Sequence, residues 1–286
     1  MLGFFLASSA GQYRTARTGR SSMDLQDADI DGSEPAVPAQ RATVQWQPTT
    51  VRLRDLEARY GGLDGAALLR PLIEREFYDR LAVVSSFGAE SAVILAMVAE
   101  IDRRTPILFL NTGKLFSETL RYRDQLVARL GLADVRTITP DPRRLAVADA
   151  QGMLWLHDPD SCCAIRKVEP LAAALAGFHA WVSGRKRYQT AGRAMLRSFE
   201  PDGETRIKIN PLATWSRSRV VAEFLERDLP RHPLEAEGYL SIGCLTCTDR
   251  VRPDEHLRAG RWRGRTKTEC GIHNPIALRG PPLAAD

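Results

Sequence analysis

The sequence is poor in cysteine and has no long apolar run. Its 286 residues include only 5 cysteines, an odd number and too few for a secreted domain held together by disulfides. We therefore expect a reducing, cytoplasmic compartment. A run of about 18 apolar residues is missing, which excludes a membrane span. The composition also excludes collagen-like and wholly disordered chains, and the length allows one large domain or two modest ones.

Positive charge exceeds negative charge only slightly. Lysine and arginine together number 40 and the acidic residues 35, which gives a net charge of +5. A surplus this small suits an anionic ligand better than a coat of nucleic acid. Few aromatic residues interleave with the basic clusters, so we expect no nucleic-acid partner.

The first 48 residues lack apolar periodicity. Residues 2–7 are apolar, but the run is short and no basic residue precedes it, unlike a signal peptide. Residues 11–45 are rich in Arg, Ser, Gly, Asp and Pro, so residues 1–48 are predicted to be a disordered extension. Met23 is an alternative translation start to Met1, and the composition does not decide between them.

Short apolar strands alternate with amphipathic helices from about residue 50 onward. This alternation predicts an α/β domain over residues 49–257, with a mostly parallel sheet covered by helices on both faces. Asp202-Gly203 separates two alternating segments and predicts a hairpin. Strands are predicted at 81–85, 106–110, 135–139 and 180–183, and helices at 51–60, 64–80, 92–101, 117–130 and 216–228 (with Ser216 as N-cap).

Loops that follow strands in such a sheet are the expected ligand sites. Residues 85–91 read SSFGAES and lead into a helix, whose N-terminal N–H groups and nearby hydroxyls can bind an anion. An ordinary strand–helix turn is the alternative, because the loop is neither a Walker A nor a dinucleotide motif. Cations at 184–189 (GRKRYQ) follow a later strand and suit phosphate or sulfate.

Four of the cysteines form two close pairs. Cys162 and Cys163 are adjacent, and Cys244 and Cys247 form a C-x-x-C motif. Four thiolates fit zinc or an iron–sulfur cluster. Adjacent cysteines favour a cluster, because its corners lie farther apart than the ligands of a single ion. Buried free thiols are the alternative.

The fifth cysteine, Cys270, lies near the C-terminus in a stretch without periodicity. It follows a run of cations, which favour the nucleophilic thiolate form of a nearby thiol. His273 could serve it as an acid, a base or a hydrogen-bond partner. A tail with a dispensable thiol is the alternative. The preceding cations are Arg258, Arg261, Arg263, Arg265 and Lys267.

Taken in order, these segments resemble the iron–sulfur type of assimilatory adenylylsulfate (APS) reductase, within the PAPS/APS reductase family. The similarity spans roughly residues 60–275. It implies a PP-loop (adenine nucleotide α-hydrolase-like) fold and a mobile C-terminal arm at 258–286 that carries the catalytic cysteine. The segments that carry it are 85–91, 111–119 (NTGKLFSET), both cysteine pairs, 184–189 and 268–273 (TECGIH).

The resemblance implies an oxidoreductase that reduces APS to sulfite and AMP, in sulfate assimilation and cysteine biosynthesis. Cys270 would attack the sulfate sulfur, and thioredoxin or a related dithiol would then discharge the S-sulfocysteine. The implied catalytic residues are Cys270 and His273, and one 4Fe–4S cluster would be held by Cys162, Cys163, Cys244 and Cys247. The implied substrate-binding residues are Ser85, Ser86, Phe87, Gly88, Ala89, Glu90, Ser91, Thr112, Gly113, Lys167, Lys186, Arg187, Gln189, Arg258 and Arg261.

Two positions depart from the family pattern. Ser117 stands where proline is usual and predicts a helix N-cap, and Arg185-Lys186 replaces Gln-Arg. Three alternative functions remain: reduction of 3′-phosphoadenylylsulfate (PAPS), ATP-dependent tRNA modification by a PP-loop iron–sulfur protein, and a metal-stapled binding module without catalysis. Homo-oligomers are usual in the family, and these residues neither support nor exclude one.

Overall fold

A six-stranded sheet forms the centre of the molecule in a computed structural model, which describes residues 49–273. The strand order is β3-β2-β1-β4-β6-β5, and every neighbouring pair is parallel except β5 and β6. The predicted extension at 1–48 and the end of the predicted arm, 274–286, lie outside the described residues. The strands are β1 (Leu81–Ser85), β2 (Ile107–Leu110), β3 (Val135–Ile138), β4 (Ala180–Val182), β5 (Phe199–Asp202) and β6 (Arg206–Ile209).

Helices precede, connect and follow the strands. Two π-helical turns, Leu72–Glu76 and Ala164–Val168, continue α2 and α7, and short 3-10 turns include Arg187–Gln189, Ala191–Arg193, Leu245–Cys247 and Gly271–His273. No helix among residues 49–273 is long and apolar enough to cross a bilayer. The helices are α1 (Thr49–Tyr60), α2 (Gly65–Pro71), α3 (Ser91–Ile101), α4 (Ser117–Leu130), α5 (Pro142–Ala148), α6 (Leu154–His157), α7 (Pro159–Cys163), α8 (Glu169–Ala174) and α9 (Arg217–Glu226).

Both faces of the sheet are covered, as the near-continuous apolar strands predict. Successive side chains of a strand point to opposite faces. Val83 of β1 therefore joins the larger core, which includes the apolar residues of α3, while Ala82 joins a smaller cluster with Leu171 of α8. The helix α3 is buried all round because it carries no charge between residues 91 and 99.

The predicted strands, the hairpin and the α9 N-cap are confirmed. Asp202 ends β5 and Gly203 turns the chain with a φ of 69°, so β5 and β6 pair antiparallel. The Ser216 hydroxyl accepts the backbone N–H of Arg219 at 3.1 Å. The prediction for Ser117 is wrong, because Phe116 is the N-cap of α4. Ser117 is the first helical residue, a position that suits proline equally well.

The described part of the predicted arm, residues 258–273, packs against the rest of the domain without a long helix or strand. The indole of Trp262 is buried, and its backbone N–H donates to the Cys247 carbonyl at 3.2 Å. Arg265 donates to the Trp155 carbonyl at 2.7 Å. These contacts hold the segment that precedes Cys270 close to the second cysteine pair.

Candidate active site

A cavity of about 210 Å³ lies where β1, β2 and β4 end. Its walls come from the loops that follow these strands and from the arm. The structure thus brings together segments that are up to 189 residues apart in sequence (84 to 273). The predicted site residues among its lining are Ser85, Ser86, Gly88, Ala89, Glu90, Ser91, Thr112, Lys167, Lys186, Gln189, Cys244, Arg258, Arg261, Cys270 and His273.

Three predicted substrate-binding residues lie outside this lining. Phe87 has a left-handed φ of 47° and buries its ring edge-on against Phe109, with 5.3 Å between centroids. Gly113 also has a positive φ, of 72°, and its N–H donates to the Asn111 side chain. Arg187 turns away from the cavity and donates to the Leu196 carbonyl at 2.9 Å. These three residues shape the surrounding loops.

A tight turn at residues 85–87 fixes the conformation of the loop at 85–91. The Ser85 hydroxyl accepts the backbone N–H of Phe87 at 3.1 Å, and α3 begins at Ser91. A side chain at Gly88 would place its Cβ 3.2 Å from the Ile242 carbonyl, so the opposite loop would have to shift by a few tenths of an ångström. Glu90 and Ser91 line the cavity, so the N-terminus of α3 lies at its edge, where helix N–H groups favour an anion.

Glu90 ties this loop to the turn at 186–189. Its carboxylate accepts from Lys186 Nζ at 2.9 Å, from the Tyr188 hydroxyl at 2.5 Å and from Gln189 Nε2 at 2.8 Å. Burial alone would raise the pKa of Glu90, but Lys186 and the hydrogen bonds outweigh it and lower the pKa. Lys186 is 1% exposed. Its charge is already matched by Glu90, so it supports the loop before any ligand binds.

A second carboxylate, Glu269, brings the arm into a cluster of cations. Arg193 Nε and Nη2 lie 2.6 and 2.7 Å from its two oxygens, and Arg258 Nη2 lies 3.4 Å away. Desolvation lowers the pKa of Arg258 to about 10. Arg193 and Glu269 are not predicted from the sequence, because a short 3-10 turn (Arg193) and an irregular segment (Glu269) leave no periodic pattern. The one signal in the sequence was that Glu269 directly precedes Cys270.

The two cysteine pairs face each other beside the cavity. Cys162, Cys163 and Cys244 are buried, and Cys247 is half-buried. Burial raises the pKa of Cys162 to about 11, and negative charge on Cys163, Cys244 and Cys247 adds to this effect. Among residues 49–273, no three His, Cys, Asp or Glu side chains are arranged to hold a single metal ion.

Lys167 and Thr112 line the cavity beside Cys244. The Thr112 hydroxyl lies 3.3 Å from Cys244 Sγ. Burial disfavours the Cys244 thiolate, but Lys167 and this contact outweigh burial and lower the pKa of Cys244. Lys167 also interacts electrostatically with Cys270, so one ammonium serves both the buried pairs and the thiol on the arm.

His273 is stacked on Trp181, with 5.9 Å between ring centroids and 11° between planes. Desolvation and the surrounding cations, beginning with Arg185 and Lys208, lower the pKa of His273 well below 6.5. Its ring is therefore neutral near pH 7 and a poor general acid. Its Nδ1 is buried and has no hydrogen-bond partner among the described residues.

Fold and site together define an α/β enzyme of the nucleotide-binding type, with a cavity at the strand ends and a thiol among cations. The sequence matches the family model described as "Phosphoadenosine phosphosulfate reductase domain" over residues 80–250. The chain belongs to the phosphoadenosine phosphosulfate reductase family.

Relatives agree with this assignment. The chain is 51% identical to the adenosine 5′-phosphosulfate reductase of Mesorhizobium japonicum, covering 76% of this chain and 85% of that one. It is 41% identical to the phosphoadenosine 5′-phosphosulfate reductase of Gloeobacter violaceus, covering 77% and 93%. The solved phosphoadenylyl-sulfate reductase of Candida auris superposes with a TM-score of 0.59 at 24% identity, covering 71% and 98%, and supports the fold.

Proposed function

We propose that the protein is an APS reductase that releases sulfite and AMP during sulfate assimilation. The observation that carries the proposal is the position of Cys270, a half-buried thiol that lines a cation-rich cavity at the carboxyl edge of the sheet. The relative at 51% identity is named for the same activity. The five free thiols fit a reducing compartment, so the proposal places the enzyme in the cytoplasm.

In the first step the Cys270 thiolate attacks the sulfur of the substrate. An S–S bond forms, the bond between that sulfur and the bridging oxygen breaks, and AMP leaves with the bonding pair. The product on the protein is S-sulfocysteine. A thiolate and a sulfate repel each other, so cations that are already in place at the reacting atoms lower the barrier. Lys167, Arg258 and Arg261 are assigned to that task.

In the second step a protein dithiol of the thioredoxin kind supplies two electrons. One of its thiolates attacks the Cys270 sulfur, and sulfite leaves with the electron pair of the S–S bond. The second thiol then attacks the mixed disulfide, which frees Cys270 and leaves the reductant as a disulfide. The placement of Cys270 on the arm fits a nucleophile that meets first a small molecule and then a protein.

The four remaining cysteines are assigned to one 4Fe–4S cluster. Their donor set fits, because three of the four thiols are buried and the ammonium of Lys167 and the hydroxyl of Thr112 favour thiolate at Cys244. When bound, the cluster would supply a covalent tie between the two cysteine pairs and fixed charge beside Lys167. Both electrons of the reaction come from the dithiol.

Reduction of PAPS is the second candidate. The relative at 41% identity is named for that substrate, and two further arginines, Arg185 and Arg193, line the cavity. An additional phosphate would compete for them with Glu200 and Glu269, their present partners. The two candidates share the Cys270 chemistry and differ only in the nucleotide.

The test is the intact mass of anaerobically purified, cluster-loaded protein after mixing with APS without a reductant. We expect a gain of one SO3 unit, absent from Cys270→Ser and removed by thioredoxin. A parallel sample with PAPS compares the two nucleotides. No adduct with either nucleotide would overturn the proposal.

A further inference from the structure

The residue that precedes the proposed nucleophile is fixed by a two-pronged ion pair. Arg193 contacts both oxygens of Glu269, at 2.6 and 2.7 Å, and the two side chains are 10% and 21% exposed. A guanidinium that faces a carboxylate in this way forms two parallel charge-assisted hydrogen bonds, which fix direction as well as distance. The pair therefore sets the position of the peptide bond that leads into Cys270.

Arg193 is itself anchored to the rigid part of the domain. Its remaining amino group, Nη1, donates to the Gln189 side chain, whose Nε2 donates in turn to Glu90 at 2.8 Å. Glu90 is the cap residue of α3. A continuous chain of polar contacts thus runs from the anion-binding loop to the arm, and Glu269 is the last member and the one that the arm contributes.

The same pair balances charge in the cavity. Arg185, Arg193 and Lys208 of the domain body and Arg258 at the start of the arm surround His273, and the neighbouring cations repel one another. Glu269 is the carboxylate that Arg193 and Arg258 share. When the arm is seated, Glu269 cancels part of this repulsion. When the arm leaves, Arg193 loses that partner, so the electrostatics favour the seated position.

We propose that Glu269 is a positioning residue whose pair with Arg193 acts as a latch that holds Cys270 at the cavity. This inference rests on the proposed function for its role in catalysis. The latched position serves the attack on the substrate, whereas transfer to the dithiol requires the arm to be released. Weakening the latch should therefore slow the first step and leave the second step unchanged or faster.

The first experiment needs no substrate. Cluster-loaded protein is treated with iodoacetamide, and alkylation of Cys270 is followed by peptide mass. In Glu269→Gln we expect alkylation about five- to tenfold faster than in the wild type, the effect of losing a partly buried charge-assisted pair. Arg193→Gln should accelerate the alkylation of Cys270 to the same extent. The double variant should be no faster than either single one, because both changes remove one interaction.

Glu255→Gln is the matched control. Glu255, just before the arm, forms a similar two-pronged pair with Arg263 of the arm, at 2.7 Å on both sides, and neither residue lines the cavity. Its alkylation rate should equal that of the wild type. Rates for Glu269→Gln within twofold of the wild type, or equal acceleration in Glu255→Gln, would overturn the latch.

A second experiment separates positioning from loss of fold. Single-turnover S-sulfonation with APS should slow in Glu269→Gln, while discharge of its preformed S-sulfocysteine by thioredoxin should keep or exceed the wild-type rate. Equal slowing of both steps would indicate a structural defect and overturn the latch. Absence of S-sulfonation in the wild type would contradict the proposed function and leave the alkylation result standing.

Discussion

Replacing Asp149 with alanine should destabilise the domain, because it leaves the buried guanidinium of Arg166 without its counter-ion. Both nitrogens that face Asp149 contact the same carboxylate oxygen, at 2.6 and 3.2 Å, and a third donates to the Thr112 carbonyl at 2.8 Å. The side chains of Arg166 and Asp149 are 8% and 2% exposed. Asp149 also accepts the backbone N–H of Leu154.

The expected magnitude follows from this burial. Removing one partner of a buried, hydrogen-bonded ion pair costs about 3–5 kcal/mol, since the remaining charge is desolvated and unpaired. For a domain of this size that loss lowers the melting temperature by roughly 10 °C. The apolar double variant Asp149→Leu/Arg166→Met should recover most of the loss, because neither charge then stays buried alone.

The assay is urea unfolding followed by circular dichroism, on preparations of equal iron content. Asp134→Ala is the matched control, because it removes an Arg–Asp pair of equal length, 2.6 Å, whose side chains are 49% and 31% exposed. Such an exposed pair should contribute less than about 1 kcal/mol. A loss below about 1 kcal/mol for Asp149→Ala, or a double variant less stable than either single one, would refute the reasoning.

Three further predictions concern stability and the cation cluster. Burial lowers the pKa of His232 to about 4. The stability that the neutral ring contributes is therefore complete above about pH 6.5 and is lost as the pH falls toward 4. Between pH 7.5 and 5, the free energy of unfolding should fall by about 2 kcal/mol more in the wild type than in His232→Gln. Glu90→Gln leaves the buried ammonium of Lys186 unpaired and should cost about 3 kcal/mol in urea unfolding. Gly243→Ala would place a Cβ 2.4 Å from an Arg261 nitrogen and displace that flexible side chain. Single-turnover S-sulfonation should therefore slow, with little change in the free energy of unfolding. Gly62→Ala is the control: its Cβ would lie in open space, and neither the rate nor the stability should change.

The strands and the loop at 85–91 were predictable because each leaves a local pattern. Buried parallel strands are short apolar runs, and the loop is a small polar segment between such a run and a helix. The cysteine pairs and Cys270 were predicted as site residues from their spacing and from the resemblance to the PAPS/APS reductase family. Cys244 and Cys270 line one cavity because the loop and the arm that carry them pack over the carboxyl ends of β1, β2 and β4, which meet at one edge of the sheet.

Side-chain direction in short turns was not predictable. In the segment 184–189, Lys186 lines the cavity while its neighbour Arg187 bonds the Leu196 carbonyl, and nothing in the letters GRKRYQ distinguishes them. Phe87 looks like part of the ligand loop in sequence, but a left-handed backbone turns its ring into the core. The Arg193–Glu269 pair joins residues 76 positions apart, which no local pattern records.

The stack of His273 on Trp181 gives the arm a built-in optical reporter. The indole contacts the imidazole of the arm on one face, its Nε1 donates to Asp202 at 2.8 Å, and the ammonium of Lys208 lies 4.9 Å from the ring. Departure of the arm would uncover one face of the indole and admit water to the ring. The part of the tryptophan emission that is lost in Trp181→Phe should then follow seating and release in real time, without an attached dye.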